Sequence, residues 1–267
     1  MIREMTLGQY YKADSVIHRL DPRVKLMGTL IFIISLFMGM NIWIYAVVTV
    51  ALAVVIKMSR IPLKFMVRGL KSIVILIIIS AVFNLFLTPG DVLIQIWKLT
   101  ITYQGLKMAI FMVVRLIYLI VGTSLMTLTT TPNNLTDGLE KGLGFLKVIK
   151  VPVHEIAMMM SIALRFIPIL IEETDKIMKA QMARGADFEN GSIIRRAKAM
   201  VPILVPLFVS AFRRANELAM AMEARCYHGS EGRTKMKPLK YEKRDRIAYI
   251  SMVLYLGVII IVKIIAA

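Results

Sequence analysis

The sequence predicts an all-α integral membrane protein with about five transmembrane helices and, between them, long cytoplasmic or interfacial helices. Three observations carry this. The 267 residues are 58% hydrophobic with a mean hydropathy of +0.70, and the uncharged runs are on the scale of the about 20 residues that cross a hydrocarbon core of about 30 Å. No segment shows the roughly ten-residue alternation of a membrane barrel, and lipid offers backbone groups no partner, so helices are the form left. Finally, Lys and Arg collect in alternate loops: the N-terminus, the 57–71 loop and the 129–247 region hold 5, 5 and 20, while the Met40-Asn41 turn holds none and the 88–106 loop one. By the positive-inside rule, the N-terminus is cytoplasmic and, with five spans, the C-terminus lies outside.

The chain divides into an N-terminal cytoplasmic segment (1–25), a four-span bundle (26–131), a cytoplasmic region (132–247) and a last span (248–267). The first segment lacks an apolar core, so no cleavable signal peptide is expected and the first span serves as its own insertion signal. Asp21-Pro22-Arg23 reads as a helix start, because Asp accepts from orphan amides and Pro at the first helical position has none to lose. The run 26–56 has no charge and is long for one span. A turn at 39–41 splits it into a hairpin, 26–38 and 42–56. Spans at 72–87, 106–128 and 248–261 follow, and Trp97 and Tyr103 form an interfacial pair in the loop before the fourth span.

Residues 152–229 read as two long helices broken at 185–192. The first closes on Ala183-Arg184-Gly185, the second on Ala224-Arg225-Cys226. Their apolar stretches, 156–171 around Arg165 and 200–212, are short for spans. If both crossed, the basic connector 172–199 would lie outside, against the charge rule. The expectation is therefore interfacial or cytoplasmic arms, with seven spans as the alternative.

Arg184 and Arg225, 41 residues apart, each sit favourably near the negative end of a helix dipole, with Gly185 as a C-terminal cap. One such ending is explained by capping alone. Two suggest a repeated docking device, since a guanidinium keeps its charge and pairs bidentately with carboxylates. Arg115 is the charge inside the fourth span, bound either by carbonyls or a carboxylate of this chain or by a partner helix. Arg165 is expected to pair with Glu172 or Glu173 one to two turns on, and Asn84 reads as structural. The 20 methionines include Met158, Met159, Met160, Met178, Met182, Met200, Met220 and Met222 in the arms. They are either packing filler or an adaptable surface for partners.

The net charge of +17 would point to nucleic acid in a soluble chain. Here it follows topology, and no nucleic-acid partner is expected. A single cysteine excludes an intramolecular disulfide. His18, His154 and His228 are scattered, so no metal site is expected. His154-Glu155 opens like a zinc-protease helix, but the second histidine position holds Met158. There is no phosphate-binding loop, so the chain is not expected to hydrolyse ATP.

Taken together, Gly8-Gln9-Tyr10, Asp14-Ser15, His18-Arg19-Leu20-Asp21-Pro22-Arg23, Lys25, Arg165-Phe166-Ile167-Pro168, Ala180-Gln181-Met182-Ala183-Arg184-Gly185 and the second Ala-Arg motif resemble the transmembrane T component of energy-coupling factor (ECF) transporters. The tail Gly232-Arg233-Thr234-Lys235 resembles the form shared among vitamin transporters more than the dedicated cobalt or nickel type. The resemblance implies a prokaryotic uptake complex of two ABC-type ATPases, this T subunit and a small membrane S component. ATP and Mg belong to the partner ATPases and no cofactor to this chain. It also implies that Ala183, Arg184, Gly185, Ala224 and Arg225 end coupling helices seated in grooves of the ATPases. Where the family has glycine this chain has Cys226, which tolerates a left-handed backbone poorly, so the second helix is expected to run on toward Gly229. The alternative to the whole reading is a secondary transporter or channel with Arg115 as its ion or substrate site; it predicts discontinuous spans and internal repeats.

Overall fold

The computed structural model describes residues 10–71, 73–96, 99–186, 188, 192–229, 236 and 238–265. Gly8, Gln9, Trp97 and the 232–235 tail lie outside the described residues. The elements in order are α1 (Pro22–Phe37), α2 (Ile42–Ser59), α3 (Leu63–Lys71), α4 (Val74–Leu87), β1 (Val92–Ile96), β2 (Leu99–Thr102), α5 (Tyr103–Thr129), α6 (Pro132–Gly142), a 3₁₀ turn Gly144–Ile149, α7 (Val153–Ala183), α8 (Ile193–Glu223) and α9 (Lys243–Ile265). The protein is an all-α integral membrane protein with, among the described residues, one small antiparallel hairpin. That hairpin falls in the expected 88–106 loop, where Val, Ile, Leu and Thr favour a pleated backbone. It pairs Val92 with Thr102 and Ile96 with Leu99.

One compact unit comprises Gly8–Gly138 and Leu239–Ala267. Its α1–α2 hairpin follows the sequence closely. Asp21 caps α1 by accepting from the Arg23 amide at 2.9 Å, with Pro22 in the first turn, and Asn41 caps α2 by accepting from the Trp43 amide. The core joins Leu36, Ile44, Tyr45, Val48 and Ile259, with Phe32, Phe111 and Tyr118 packed around them. Gly122 lets the Phe32 ring lie against α5, since a Cβ there would force that ring to shift. Thr102 links hairpin to helix by accepting from the Gly105 amide and donating to the Thr88 carbonyl.

At the end where α1 and α9 begin, buried polar groups are knitted together. Asp245 accepts from the backbone amides of Asp21 (2.9 Å) and Glu242 (2.8 Å), so one carboxylate holds the entry to both helices. Asp21 also binds Arg23 through Nε and Nη2, and the Arg23 guanidinium lies 4.0 Å over the Tyr241 ring. Lys25 Nζ donates to the carbonyls of His18 (3.1 Å) and Thr129 (2.8 Å). Burial lowers the Lys25 amine to about 8, against the pull of Asp21 and Asp245. His18 receives from Ser15 Oγ or donates to it, contacts the Tyr11 carbonyl at 3.0 Å, and is shifted below the ordinary histidine range by burial. The Asp-Pro-Arg motif is thus a helix cap and a structural clasp in one.

The second unit lies within Leu139–Pro238. Here α7 and α8 are each 31 residues long, with Pro168 inside α7 and Pro202 and Pro206 inside α8. Arg214 Nη2 donates to Glu173 at 3.2 Å and Gln181 Nε2 to the Pro202 carbonyl at 3.5 Å. Moving forward along α7 thus means moving back along α8, and the arms pack antiparallel.

Span lengths differ from expectation. Among the described residues α2, α5, α7 and α9 are long and apolar enough to cross a membrane, and α3 with α4 adds a fifth if that bent pair counts as one. The 16-residue α1 is only about 24 Å long. The mostly apolar run 156–171, which holds Arg165, is short for a span, but it is only part of α7. Its helix continues through Glu172–Lys179, residues that favour helix as much as their apolar neighbours do. Length therefore does not distinguish α7 from a span; the charge pattern is what argues for the interface.

Candidate functional site

The two arms end in the same backbone device. At the end of α7, the Gly185 amide donates to the Met182 carbonyl (2.9 Å) and the Ala186 amide to that of Gln181 (3.0 Å), with Gly185 at φ +88°. At the end of α8, the Cys226 amide donates to Glu223 (2.8 Å) and the Tyr227 amide to Met222 (3.1 Å), with Cys226 at φ +55°. Both are Schellman motifs, in which a left-handed residue turns the chain back so that orphan carbonyls are capped. In each, the arginine occupies the last position before the left-handed residue.

This corrects the expectation that Cys226 lets α8 run on toward Gly229. The helix stops at Glu223, and Cys226 adopts the left-handed conformation. Its steric cost, about 1–2 kcal/mol, is offset by the two capping bonds. The cysteine is free and exposed.

Ala183, Arg184 and Gly185 are exposed, as are Ala224, Arg225 and Cys226. The small alanines leave each guanidinium without a bulky neighbour on the preceding position. Arg184 lies 11 residues beyond Glu173, and Arg225 lies 11 residues beyond Arg214. Each tip is thus about 16 Å along its own helix from the ion pair, and the antiparallel packing sends the two in opposite directions.

The other candidate residues are not brought to these tips. Arg115 is buried, donates from Nε to the Tyr45 hydroxyl at 3.1 Å and lies 5.1 Å from the Phe37 ring centroid. Within this chain a phenol and a ring face stand where a carbonyl or carboxylate was expected, because Tyr45 of α2 and Phe37 of α1 are what Arg115 of α5 meets there. Asn84 donates to the Ser80 carbonyl one turn back at 2.8 Å. Arg165 is exposed, and Glu173, one of its expected partners, is taken by Arg214 instead. Asp21, Pro22 and Arg23 belong to the clasp. His154 meets Glu140 at 2.8 Å, and among the described residues no group of three or more His, Cys, Asp or Glu side chains could hold a metal ion.

Sequence reasoning missed Asp245, which joins the amide of Asp21, 224 positions away, to that of Glu242. The apolar stretch 200–212, which it did find, is displayed as the exposed stripe Val201, Leu204, Val205, Phe208, Val209 and Phe212 on α8. Its 3–4 residue spacing was legible as one helix face.

The fold is that of a multi-pass helical membrane protein. The family model described as CbiQ, cobalt transport protein, matches residues 13–236. Among similar proteins are those named energy-coupling factor transporter transmembrane protein EcfT. That of Thermosediminibacter oceani is 56% identical over 250 residues, covering 94% of each chain. That of Clostridium kluyveri is 56% identical over 250 residues and 93% of each. That of Bacillus subtilis is 47% identical over 254 residues, 95% of this chain and 96% of the other. The chain belongs to this family of transmembrane components of energy-coupling factor transporters.

Proposed function

We propose that the chain is the coupling subunit of an ECF-type ABC importer, passing ATP-driven movement of two ATPase subunits to a membrane-embedded S component that carries a vitamin or related micronutrient. The observation that carries the reading is the repetition of one helix ending. An exposed arginine precedes a left-handed cap at Arg184 and again at Arg225, at opposite ends of an antiparallel pair. Two tips on the order of 30 Å apart along such a pair suit two separate motor subunits. A cation at each helix end meets a partner carboxylate with two donors in a fixed plane.

The stripe ending at Phe208 and Phe212, with exposed Met200 and Met220 on the same arm and Met159, Met160 and Met182 on the other, offers a broad apolar surface of pliable side chains. Such surfaces accommodate more than one partner, which suits exchangeable S components. ATP and Mg act in the ATPases, and this chain binds no cofactor and performs no hydrolysis. The tips face the cytoplasm of a prokaryotic cell, the N-terminus lies on the same side and the C-terminus outside, in keeping with the Lys/Arg distribution.

The test replaces Arg184 and Arg225 by Ala or Glu, singly and together, and measures recovery of ATPase subunits and vitamin uptake in membranes. Truncating one partner of a buried charged pair costs about 2–5 kcal/mol, so each single variant should lose most of its bound ATPase and the double variant nearly all uptake. Unchanged uptake in the double variant rejects the coupling role.

A further inference from the structure

The start of α9 carries a basic cluster that the coupling role does not use. Tyr241, Glu242, Lys243, Arg244 and Arg246 line an open cavity of about 570 Å³. Three cations face one carboxylate there, and that carboxylate is already held by Arg244 Nη2 at 2.7 Å. Arg244 Nε is buried with no hydrogen-bond partner. Asp245, the nearest other acid, is turned inward to the amides of Asp21 and Glu242 and is almost fully buried. Cations in a first helical turn also oppose the positive end of the helix dipole. The cluster is therefore an excess of positive charge that the surrounding protein does not neutralise.

What lies below it defines the ligand. Lys243 and Arg246 are exposed, and Ile247, Ile250, Leu254, Val258 and Ile261 continue the same helix face with their side chains exposed. Steps of three and four residues keep these positions on one stripe. The stripe begins with cations and runs on as bare aliphatic surface for most of a 23-residue helix, about 34 Å long. A free phosphate or nucleotide would use only the cationic part. An amphiphile with an anionic head and acyl chains uses both.

We infer that this face of α9 is a binding site for an anionic phospholipid, with its phosphodiester held by Lys243, Arg244 and Arg246 in the Tyr241 cavity and an acyl chain lying along Ile247, Ile250 and Leu254. Clusters of basic residues beside a membrane helix attract anionic headgroups by a roughly fivefold affinity gain per Lys or Arg. The bound headgroup neutralises the cluster beside the Asp21–Arg23–Asp245 clasp and so anchors the end of the bundle at a fixed depth.

The full-length chain, purified in mild detergent, is titrated with dioleoyl phosphatidylglycerol or dioleoyl phosphatidylcholine, and bound lipid is counted by native mass spectrometry. Phosphatidylglycerol should bind at least tenfold more tightly than phosphatidylcholine. The Lys243→Gln/Arg246→Gln variant should lose about 25-fold of that affinity, the charge-keeping Lys243→Arg/Arg246→Lys variant should keep it, and Lys57→Gln/Lys64→Gln, with equal charge removed elsewhere, should stay within twofold of wild type. Equal binding of the two lipids, an equal loss in the Lys57/Lys64 control, no loss in the Lys243/Arg246 variant, or a charge-keeping variant that loses as much as the glutamine one, overturns the site. Displacement of phosphatidylglycerol by inorganic phosphate at matching concentration overturns the lipid as its ligand.

Discussion

Around Asp21, Lys25 and Asp245, buried charges meet protein partners at 2.8–3.1 Å, whereas Arg184 and Arg225 stand exposed on helix ends closed by backbone bonds alone. The first arrangement is what burial demands, since an unpaired ion inside a protein is strongly disfavoured. The second imposes no such demand: a solvated guanidinium is held at little cost and is free to meet a partner. The difference teaches how to divide the motifs of this chain. The same basic residues that look alike in a sequence stretch serve the fold at Arg23 and Lys25, and remain available at the arm tips.

The sharpest way to break the contrast is Asp245→Ala. It leaves the amides of Asp21 and Glu242 without their acceptor at the start of two helices. A buried unsatisfied donor costs about 1–3 kcal/mol, so unfolding in mixed micelles should show a loss of about 3 kcal/mol. Asp245→Asn, which keeps one carbonyl oxygen, should lose about half as much. Single substitutions of Arg184 or Arg225, by contrast, should leave the unfolding midpoint of the isolated subunit within error while most partner recovery is lost. A tip variant that unfolds as easily as Asp245→Ala would erase the distinction.

Lys25 adds a pH signature. Its folded-state pKa is lowered to about 8 from 10.5, so between these values the unfolded chain binds more protons than the folded one. Stability from this group therefore rises as pH increases from about 8 toward 10.5, and the penalty of burying the charged amine is full below about 8. Denaturant unfolding at pH 7.5 and 9.5 should show this positive slope in the wild type and its loss in Lys25→Met.

Much of this was legible in the chain itself, for identifiable reasons. Asp21-Pro22 and Gly39–Asn41 act through local backbone chemistry, so the α1 start and the α1–α2 turn could be placed without tertiary information. The arm endings were visible because a cap is a short-range device. Cys226 was misjudged because its side chain alone argues against a left-handed backbone, while the bonds that offset the strain end on carbonyls three and four positions before it, Glu223 and Met222. The partner of Glu173 was missed because helix spacing points to Arg165, and the residue that reaches it, Arg214, comes from another helix. The local half of Asp245's role, its bond to the Glu242 amide three residues back, follows from helix-start chemistry, but its bond to the Asp21 amide could not be found by any local rule because 224 positions separate them.

The tips themselves can be set against each other. Gly185 has open space around the position of a Cβ, so Gly185→Ala meets no clash and isolates backbone strain. It should destabilise the end of α7 by about 1 kcal/mol. Cys226→Gly should do the reverse at the end of α8, relieving strain by a similar or smaller amount because glycine also gains freedom in the unfolded chain. Hydrogen exchange at the Ala186 and Tyr227 amides reports each cap directly. Slower exchange at Tyr227 in Cys226→Gly, with partner binding retained, would establish that the cysteine is tolerated rather than required.

The smallest expected effect concerns the tie between the arms. The Glu173–Arg214 pair is about two-thirds to three-quarters buried, with side-chain exposures of 26% and 33%, and sits equally far along each helix from the two arginines. Partly solvated pairs contribute about 0.2–1 kcal/mol, so a double-mutant cycle with Glu173→Gln and Arg214→Gln should return a coupling of about 0.5 kcal/mol in subunit unfolding. If the pair only adds stability, uptake per recovered complex will be unchanged in either variant. If it acts as the pivot between the tips, uptake will fall several-fold in both while ATPase recovery holds, since Arg184 and Arg225 remain intact and only the rigidity between them has been lost.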